Sequence, residues 1–212
     1  MIHAYVLFNL RRSCAKSRLP SQICRKRLCE AASHLIESWF MAVRPLVFFP
    51  AQSLRVAAAA VTDFDQNLTD LVDDLRDTMQ AVSAVGITAP HIGIALRVAL
   101  IALTPEEELA PKEDPRVYIN PRLIAASSEM ARNEEGSVSM PGVSEQIERP
   151  KELEIAYQDI AGHHQTETAS GWLAVCLQHE IDQLDGIFWI QRLSAIKRER
   201  ALKKYEKLRR QG

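Results

Sequence analysis

Apolar residues recur at intervals of three and four along one stretch of the chain: Phe64, Leu68, Leu71, Leu75, Met79 and Val82. This spacing places them on one face of a helix, so it predicts an amphipathic helix packed against the core. Asp63 is the expected N-cap, and Asp65 suits the first turn, where a carboxylate opposes the helix dipole. Gly86 is expected to end the helix.

Shorter patterns predict strands. Residues 98–103 form a brief apolar run that is typical of a buried strand, and residues 153–159 alternate as a half-buried strand does. Residues 117–120 lead to Pro121 and are expected to be extended. The acidic stretch 105–114 is expected to be a solvated loop.

Two helices are predicted towards the C-terminal end of the chain. The first covers about 170–185 and ends at Gly186, and the second begins at about Ser194. The order is therefore one helix, several strands and two helices, which indicates an α+β fold.

Charge divides the chain into three parts. The whole chain has 212 residues, 47% of them hydrophobic, and a formal charge of −1, which suits one soluble domain and excludes a strongly basic nucleic-acid binder. Residues 1–40 have 7 Lys/Arg against 2 Glu, residues 41–196 have 11 against 23 Asp/Glu, and residues 197–212 have 8 against 2. We expect an N-terminal extension outside the fold, one domain, and a basic C-terminal helix, in that order.

The extension allows two interpretations. It is Arg-rich and has no acid before Glu30, as in an organellar presequence, but it also fits an upstream addition to a protein that starts at Met41. The second interpretation favours a cytoplasmic protein.

The extension holds three of the four cysteines, so Cys176 alone remains in the domain. We expect Cys176 to be a small core residue of a protein in a reducing compartment. No apolar run approaches the ~18–20 residues that span a bilayer.

The strongest local motif is the run Gln178-His179-Glu180-Ile-Asp182-Gln183 on the predicted helix. Positions 179 and 183 share a helix face. In a His-Glu-x-x-His helix both imidazoles bind one metal, and the glutamate acts on the bound water. Gln183 is a poorer ligand than imidazole. His163 and His164 follow a turn and are expected in a solvated loop, not as ligands.

Two glycine-rich turns, 84–93 and 134–142, lack the Gly-x-x-x-x-Gly-Lys pattern of a phosphate loop. Together with the helix motif, and in this order, they resemble the peptide deformylase family. Its motifs read Gly-x-Gly-Leu-Ala-Ala-x-Gln, Glu-Gly-Cys-Leu-Ser and His-Glu-x-Asp-His. The chain has Gly86-Ile-Thr-Ala-Pro-His91, Glu135-Gly-Ser137-Val138-Ser and His179-Glu-Ile-Asp-Gln183. The similarity covers about residues 41–195.

The resemblance implies an α+β fold in which antiparallel strands wrap around a central metal-motif helix, with a further C-terminal helix. It implies hydrolysis of the N-formyl group from formyl-methionine at the N-termini of nascent peptides. Fe²⁺ or Zn²⁺ would be held by a Cys and two His, here at positions Ser137, His179 and Gln183. A Glu would move protons, and a Gln and a backbone amide would stabilise the oxyanion, here Glu180, His91 and Val138.

The departures from the family pattern fall on these working positions. Ser137 replaces a thiolate by a neutral alcohol, and Gln183 replaces an imidazole. We therefore expect an inactive or weakly active protein, with no metal as one outcome. The alternative is an active metal-dependent deformylase in which His91 joins His179, with Glu180 or Glu135 as the carboxylate. His91 is otherwise expected to fill the vacated space.

The basic helix at 197–212 also allows two interpretations. It is either solvated or attracted to a polyanion, and ribosomal RNA fits both its charge and the family resemblance. A membrane surface is less expected, because its apolar anchors are few: Leu202, Tyr205 and Leu208.

Overall fold

The computed structural model describes residues 43–103 and 114–211, within the compact unit Ala42–Gly212. The expectations for residues 1–40 and for nearly all of the acidic loop lie outside the described residues. No helix in the described part of the chain is long and apolar enough to cross a membrane.

In the part of the chain that the structure describes, one α-helix is followed by seven strands and then by two further α-helices, an α+β order that agrees with the sequence prediction. The helices are α1 (Gln66–Ala81), α2 (Gly171–Leu184) and α3 (Ala195–Arg209). The strands are β1 (Gly86–Thr88), β2 (Val98–Ile101), β3 (Arg116–Ala126), β4 (Met130–Gly136), β5 (Ser144–Pro150), β6 (Glu152–Gln158) and β7 (His164–Ser170).

The strands form two antiparallel sheets around α2. Five strands lie in the order β1-β2-β3-β6-β7, and β4 pairs with β5. Leu100 lies opposite Val117 in the larger sheet, and Glu135 lies opposite Glu145 in the smaller one. Helix α2 contacts strands of both sheets, so the helix that carries the His-Glu motif is central to the fold, as the family resemblance implies.

Helix α1 begins and ends differently from the prediction. The Asp65 carboxylate accepts the Leu68 backbone N–H at 3.2 Å, which makes Asp65 the N-cap; the choice of Asp63 was wrong, because it lies too far from the first free N–H groups. The helix ends at Ala81, and Gly86 instead begins β1. Most of the predicted stripe is buried: Leu68, Leu71, Leu75 and Met79.

Strands β4, β5 and β7 were not predicted. Their sequences are mostly polar and exposed, so the alternation that marks a half-buried strand is weak. The segment predicted as a turn at 134–142 begins inside β4, and His164 begins β7 instead of lying in a loop. His163 remains in an exposed turn, where its ring lies 3.3 Å from Asp159.

Helix α3 packs against residues that precede α2 in the sequence, such as Phe49, and against residues that follow it, such as Phe188. Its buried residues Ala201 and Tyr205 belong to an apolar cluster with Phe49 and Phe188. The Phe49 ring stacks on Phe188 at a centroid distance of 5.1 Å and meets Tyr205 edge-on at 6.1 Å. The basic helix is therefore anchored by an aromatic contact to the core.

Candidate functional site

A cavity of about 280 Å³ lies between β1, the end of β4 and helix α2. Five of the six predicted site positions line it: His91, Ser137, Val138, His179 and Glu180. Its other walls are mostly apolar and include Val85, Trp172, Val175 and Cys176. The sixth position, Gln183, is not among the lining residues. The fold thus brings together residues that lie more than eighty positions apart.

The orientation of His179 is fixed by a buried ion network. Its Nδ1 lies 2.9 Å from Glu135 Oε2, and Arg149 holds both oxygens of that carboxylate, at 2.6 and 2.9 Å. Burial raises the pKa of Glu135, but the hydrogen bonds of His179 and Arg149 outweigh it and lower the pKa overall. Glu135 is therefore a carboxylate that is already fully engaged, and it holds the His179 ring in place.

The network continues to Asp182 on the same helix. The Arg149 Nη1 donates to Asp182 at 2.8 Å, and Arg192 donates to both oxygens of Asp182. Neither arginine was found from the sequence, because no motif marks them and their partners lie on other elements, 10 to 33 residues away.

The two substituted ligand positions are occupied by neutral groups with other partners. Gln183 is buried, and its Nε2 donates to the backbone carbonyl of Leu54 at 2.9 Å, away from the cavity. The hydroxyl of Ser137 accepts the backbone N–H of Ser139 at 3.2 Å. A neutral alcohol and a remote amide cannot replace a thiolate and an imidazole as ligands of Fe²⁺ or Zn²⁺.

His91 is held by a reciprocal contact with Thr88. Its Nδ1 accepts the Thr88 backbone N–H at 3.0 Å, while the Thr88 hydroxyl caps the backbone N–H of His91. Burial, together with the nearby His179, lowers the pKa of His91 to about 3, so the ring is neutral. Because Nδ1 is the acceptor, the single ring proton lies on Nε2, which has no partner among the described residues. A protonated Nε2 has no free lone pair for a metal.

Glu180 projects into the same cavity beside β1. Its Oε2 is buried and makes no hydrogen bond within the described part of the chain. Burial raises the pKa of Glu180 to about 7, against the opposing effect of His179. Gly86 makes this position accessible, since a Cβ at residue 86 would lie 2.2 Å from Glu180 Oε1.

Replacing Gly86 by alanine is expected to displace the Glu180 side chain and to destabilise the protein by about 1–3 kcal/mol. Denaturant unfolding measures this effect. In the double variant Gly86→Ala/Glu180→Ala the clash is absent. The double variant should therefore lose less stability than the sum of the losses in the two single variants. If the stability loss of the double variant equals the sum of the losses in the two single variants, Gly86 does not control the position of Glu180.

Metal binding at this site is not supported by the donor set. Among residues 43–103 and 114–211, no group of three His, Cys, Asp or Glu side chains could hold a metal ion. Cys176 lines the cavity, and burial raises the pKa of its thiol to about 12, so it is a neutral thiol in the metal-free protein. The residues present do not fit Fe²⁺ or Zn²⁺.

The neutral state of His91 makes stability depend on pH. Its pKa is about 3 in the folded protein against an ordinary 6.5, so the unfolded chain binds more protons between these values and stability falls as the pH falls through this range. The His91→Gln variant removes this effect. Urea unfolding at pH 7 and pH 5 should show the wild type losing about 2 kcal/mol more than the variant. Parallel losses in both proteins would contradict a neutral buried His91.

Comparisons with known proteins agree with this architecture. The polypeptide deformylase family model matches residues 43–199. A peptide deformylase-like protein of Brucella melitensis is 54% identical over 170 residues, which are 80% of this chain and 100% of the relative. A peptide deformylase of Novosphingobium aromaticivorans is 36% identical over 185 residues, covering 80% of this chain and 98% of the relative.

Solved structures are similar over the same part of the chain. The peptide deformylase of Ehrlichia chaffeensis superposes with a TM-score of 0.74 at 34% identity, covering 80% of this chain and 98% of that one. The Met-Ala-Ser-bound peptide deformylase of Acinetobacter baumannii has a TM-score of 0.68 at 31% identity, covering 73% and 100%. The family-model match covers well over half of the sequence, and the chain therefore belongs to the polypeptide deformylase family.

Proposed function

We propose that this protein binds the N-terminal residues of peptides in its cavity, formylated or otherwise, and does not catalyse metal-dependent deformylation. The similar Acinetobacter baumannii enzyme binds Met-Ala-Ser, which supports a peptide ligand. The apolar walls at Val85, Trp172 and Val175 suit a methionine side chain, and the polar end suits a peptide backbone. Nascent chains are the corresponding partners.

The observation that carries the proposal is the position of Gln183. Its amide donates to Leu54 in the core, so α2 presents one imidazole to the cavity instead of two. Ser137 supplies no anionic ligand to compensate. Without a bound metal, nothing lowers the pKa of water from ~15.7 towards ~7, and Glu180 has a poor nucleophile to activate. The intact network around His179 preserves the shape of the cavity.

An active enzyme with an unusual ligand set is the competing proposal. It requires His91 to bind metal through Nε2, but Thr88 engages Nδ1 and leaves the proton on Nε2. It also requires a free carboxylate, and Glu135 already has Arg149 and His179 as partners. Both observations weigh against this arrangement.

Peptide titration combined with formate detection tests the proposed function. Formyl-Met-Ala-Ser should bind the wild-type protein by calorimetry without release of formate, also after addition of Fe²⁺, Ni²⁺ or Zn²⁺. Trp172→Ala should weaken binding, whereas Phe48→Ala, at an equally exposed position outside the cavity, should not. Metal-dependent formate release that Glu180→Ala abolishes would contradict the proposal.

We further propose that α3 binds ribosomal RNA. Three cations of α3 and the Arg210 that caps its C-terminal end are exposed and form no ion pair with any described residue; the three within the helix are Arg200, Lys204 and Lys207. The remaining basic residues include Arg198, which donates to three backbone carbonyls, and Lys203, which pairs with Glu199 at 2.7 Å. The four unpaired cations are therefore available to phosphate groups.

Neutralising these four cations to glutamine should weaken co-sedimentation with ribosomes and reduce its dependence on salt concentration. Substitution is preferable to truncation at Ser194, because truncation also removes the buried Ala201 and Tyr205. Lys151→Gln, on a strand connection elsewhere, is the control. Equal pelleting of the wild type and the fourfold variant at every salt concentration would exclude this role for α3.

A further inference from the structure

One wall of the cavity is a segment without regular secondary structure. Residues 137–143 join β4 to β5 and belong to neither strand. The first two of them, Ser137 and Val138, line the cavity. Because no strand pairing fixes this segment, its position depends on the contacts that its remaining residues make.

Helix α3 packs against those remaining residues. Met140 and Val143 are buried, and both lie in one apolar cluster with Tyr205 of α3. Leu208, also on α3, lies so close to Gly142 that a Cβ at residue 142 would come 2.9 Å from the Leu208 Cδ1. The segment therefore has one part in the cavity wall and another part against α3.

Hydrogen bonds connect the two parts of the segment. The Met140 backbone N–H donates to the Ser137 carbonyl at 2.9 Å, and the Ser139 N–H donates to the Ser137 hydroxyl at 3.2 Å. The Phe49 N–H, from the same apolar cluster, donates to the Ser139 carbonyl at 2.9 Å. A displacement of Met140 away from α3 therefore carries Ser137 and Val138 with it.

Helix α3 is itself held by a small set of contacts. Ala201 and Tyr205 are its buried residues. Lys197 adds a polar contact to β5, where it donates to the Gln146 carbonyl at 3.1 Å and pairs with Glu145 at 3.4 Å. A helix of 15 residues is marginal on its own, so most of its stability comes from packing. Loss of a contact with residues 137–143 therefore loosens both the helix and the segment.

We propose that α3 positions the cavity wall, with Tyr205 and Leu208 as the positioning residues. They hold residues 137–143 where Ser137 and Val138 complete the cavity, so the affinity for a peptide depends on the docking of α3. This inference rests on the proposed peptide-binding function and adds the element that controls its affinity. The same helix carries cations proposed to bind ribosomal RNA, so one element joins the two proposed binding surfaces.

The closing experiment measures binding of formyl-Met-Ala-Ser by calorimetry on full-length variants of α3. Leu208→Ala and Tyr205→Ala should each weaken binding by about 3- to 10-fold, as expected for residues that act through others. Leu208→Met and Tyr205→Phe keep the apolar contacts and should keep the wild-type affinity. Ile196→Ala is the matched control, because Ile196 is an apolar residue of the same helix that is 66% exposed. It should bind as the wild type does.

Two further measurements separate positioning from a general loss of stability. Val72→Ala weakens a different apolar cluster, which contains no residue of α3, and it should leave the peptide affinity unchanged while the protein is folded. In ¹H–¹⁵N spectra without peptide, the Val138 amide signal should shift in Leu208→Ala and Tyr205→Ala. The same signal should stay in place in Ile196→Ala and Val72→Ala.

The outcomes are distinguishable from those of the proposed function. Unchanged peptide affinity in folded Leu208→Ala and Tyr205→Ala proteins would overturn the inference and leave peptide binding intact. Equal weakening by Val72→Ala or Ile196→Ala, or a Val138 signal that does not move, would also overturn it. Failure of the wild type to bind any peptide would overturn both proposals.

Discussion

Replacing Arg149 by leucine is expected to lower the free energy of unfolding by about 3–5 kcal/mol, because the change leaves two buried carboxylates without their shared cation. Arg149 is 4% exposed and bridges Glu135 on β4 and Asp182 on α2. The variant should also release His179 from its fixed orientation. Urea unfolding measures the loss of stability, and His179 ring resonances report the loss of order.

Arg132→Leu is the matched control for Arg149. Arg132 lies on the neighbouring strand and pairs with Glu148 at 3.6 Å, with both side chains more than half exposed. Exposed pairs of this kind contribute at most about 1 kcal/mol, so the Arg132→Leu variant should lose little stability. Similar losses in the two variants would mean that the buried network does not hold β4 and α2 together.

Restoring the family's residues is expected to create a metal site. The triple variant Ser137→Cys/Gln183→His/His91→Gln should bind Zn²⁺ more tightly than the wild type by a factor on the order of 10³ or more, since complete zinc sites contribute about 10–16 kcal/mol. The network of Arg149 and Glu135 is already in place to orient His179. Competition with a chromophoric chelator measures the affinity.

The single variant His91→Gln is the control, because it restores no ligand and should leave zinc affinity unchanged. A partial gain is expected for Ser137→Cys/Gln183→His. The new imidazole at position 183 must point to the cavity and leave the Leu54 carbonyl, where glutamine now donates. If the triple variant gains no affinity, the cavity has diverged beyond its ligand positions.

The sequence was sufficient to predict the elements that bury an apolar face. Helix α1 follows from the spacing of Leu68 to Met79, and β2 from its unbroken apolar run, because burial leaves a periodic trace in the sequence. Strands β4 and β5 leave almost none, since most of their side chains are exposed and the pairing partner supplies the stability.

The same distinction applies to the site, where some residues could be predicted from the sequence and others could not. Residues within motifs, such as His179 and Ser137, could be named from the sequence because their spacing is fixed by local structure. Arg149 could not, since its contacts span 14 and 33 residues and depend on how β5 lies against α2. The turning of Gln183 towards Leu54, 129 residues away, is likewise a property of the packed core.

The metal content of the purified protein, measured together with its turnover of formyl-Met-Ala-Ser, tests the central claim most directly. After incubation with Fe²⁺ or Zn²⁺ and removal of excess ions, elemental analysis should find far less than one metal per chain and no formate above the protein-free blank. The triple variant serves as the positive control for metal retention. One metal per chain, with formate release that Glu180→Ala abolishes, would contradict the claim.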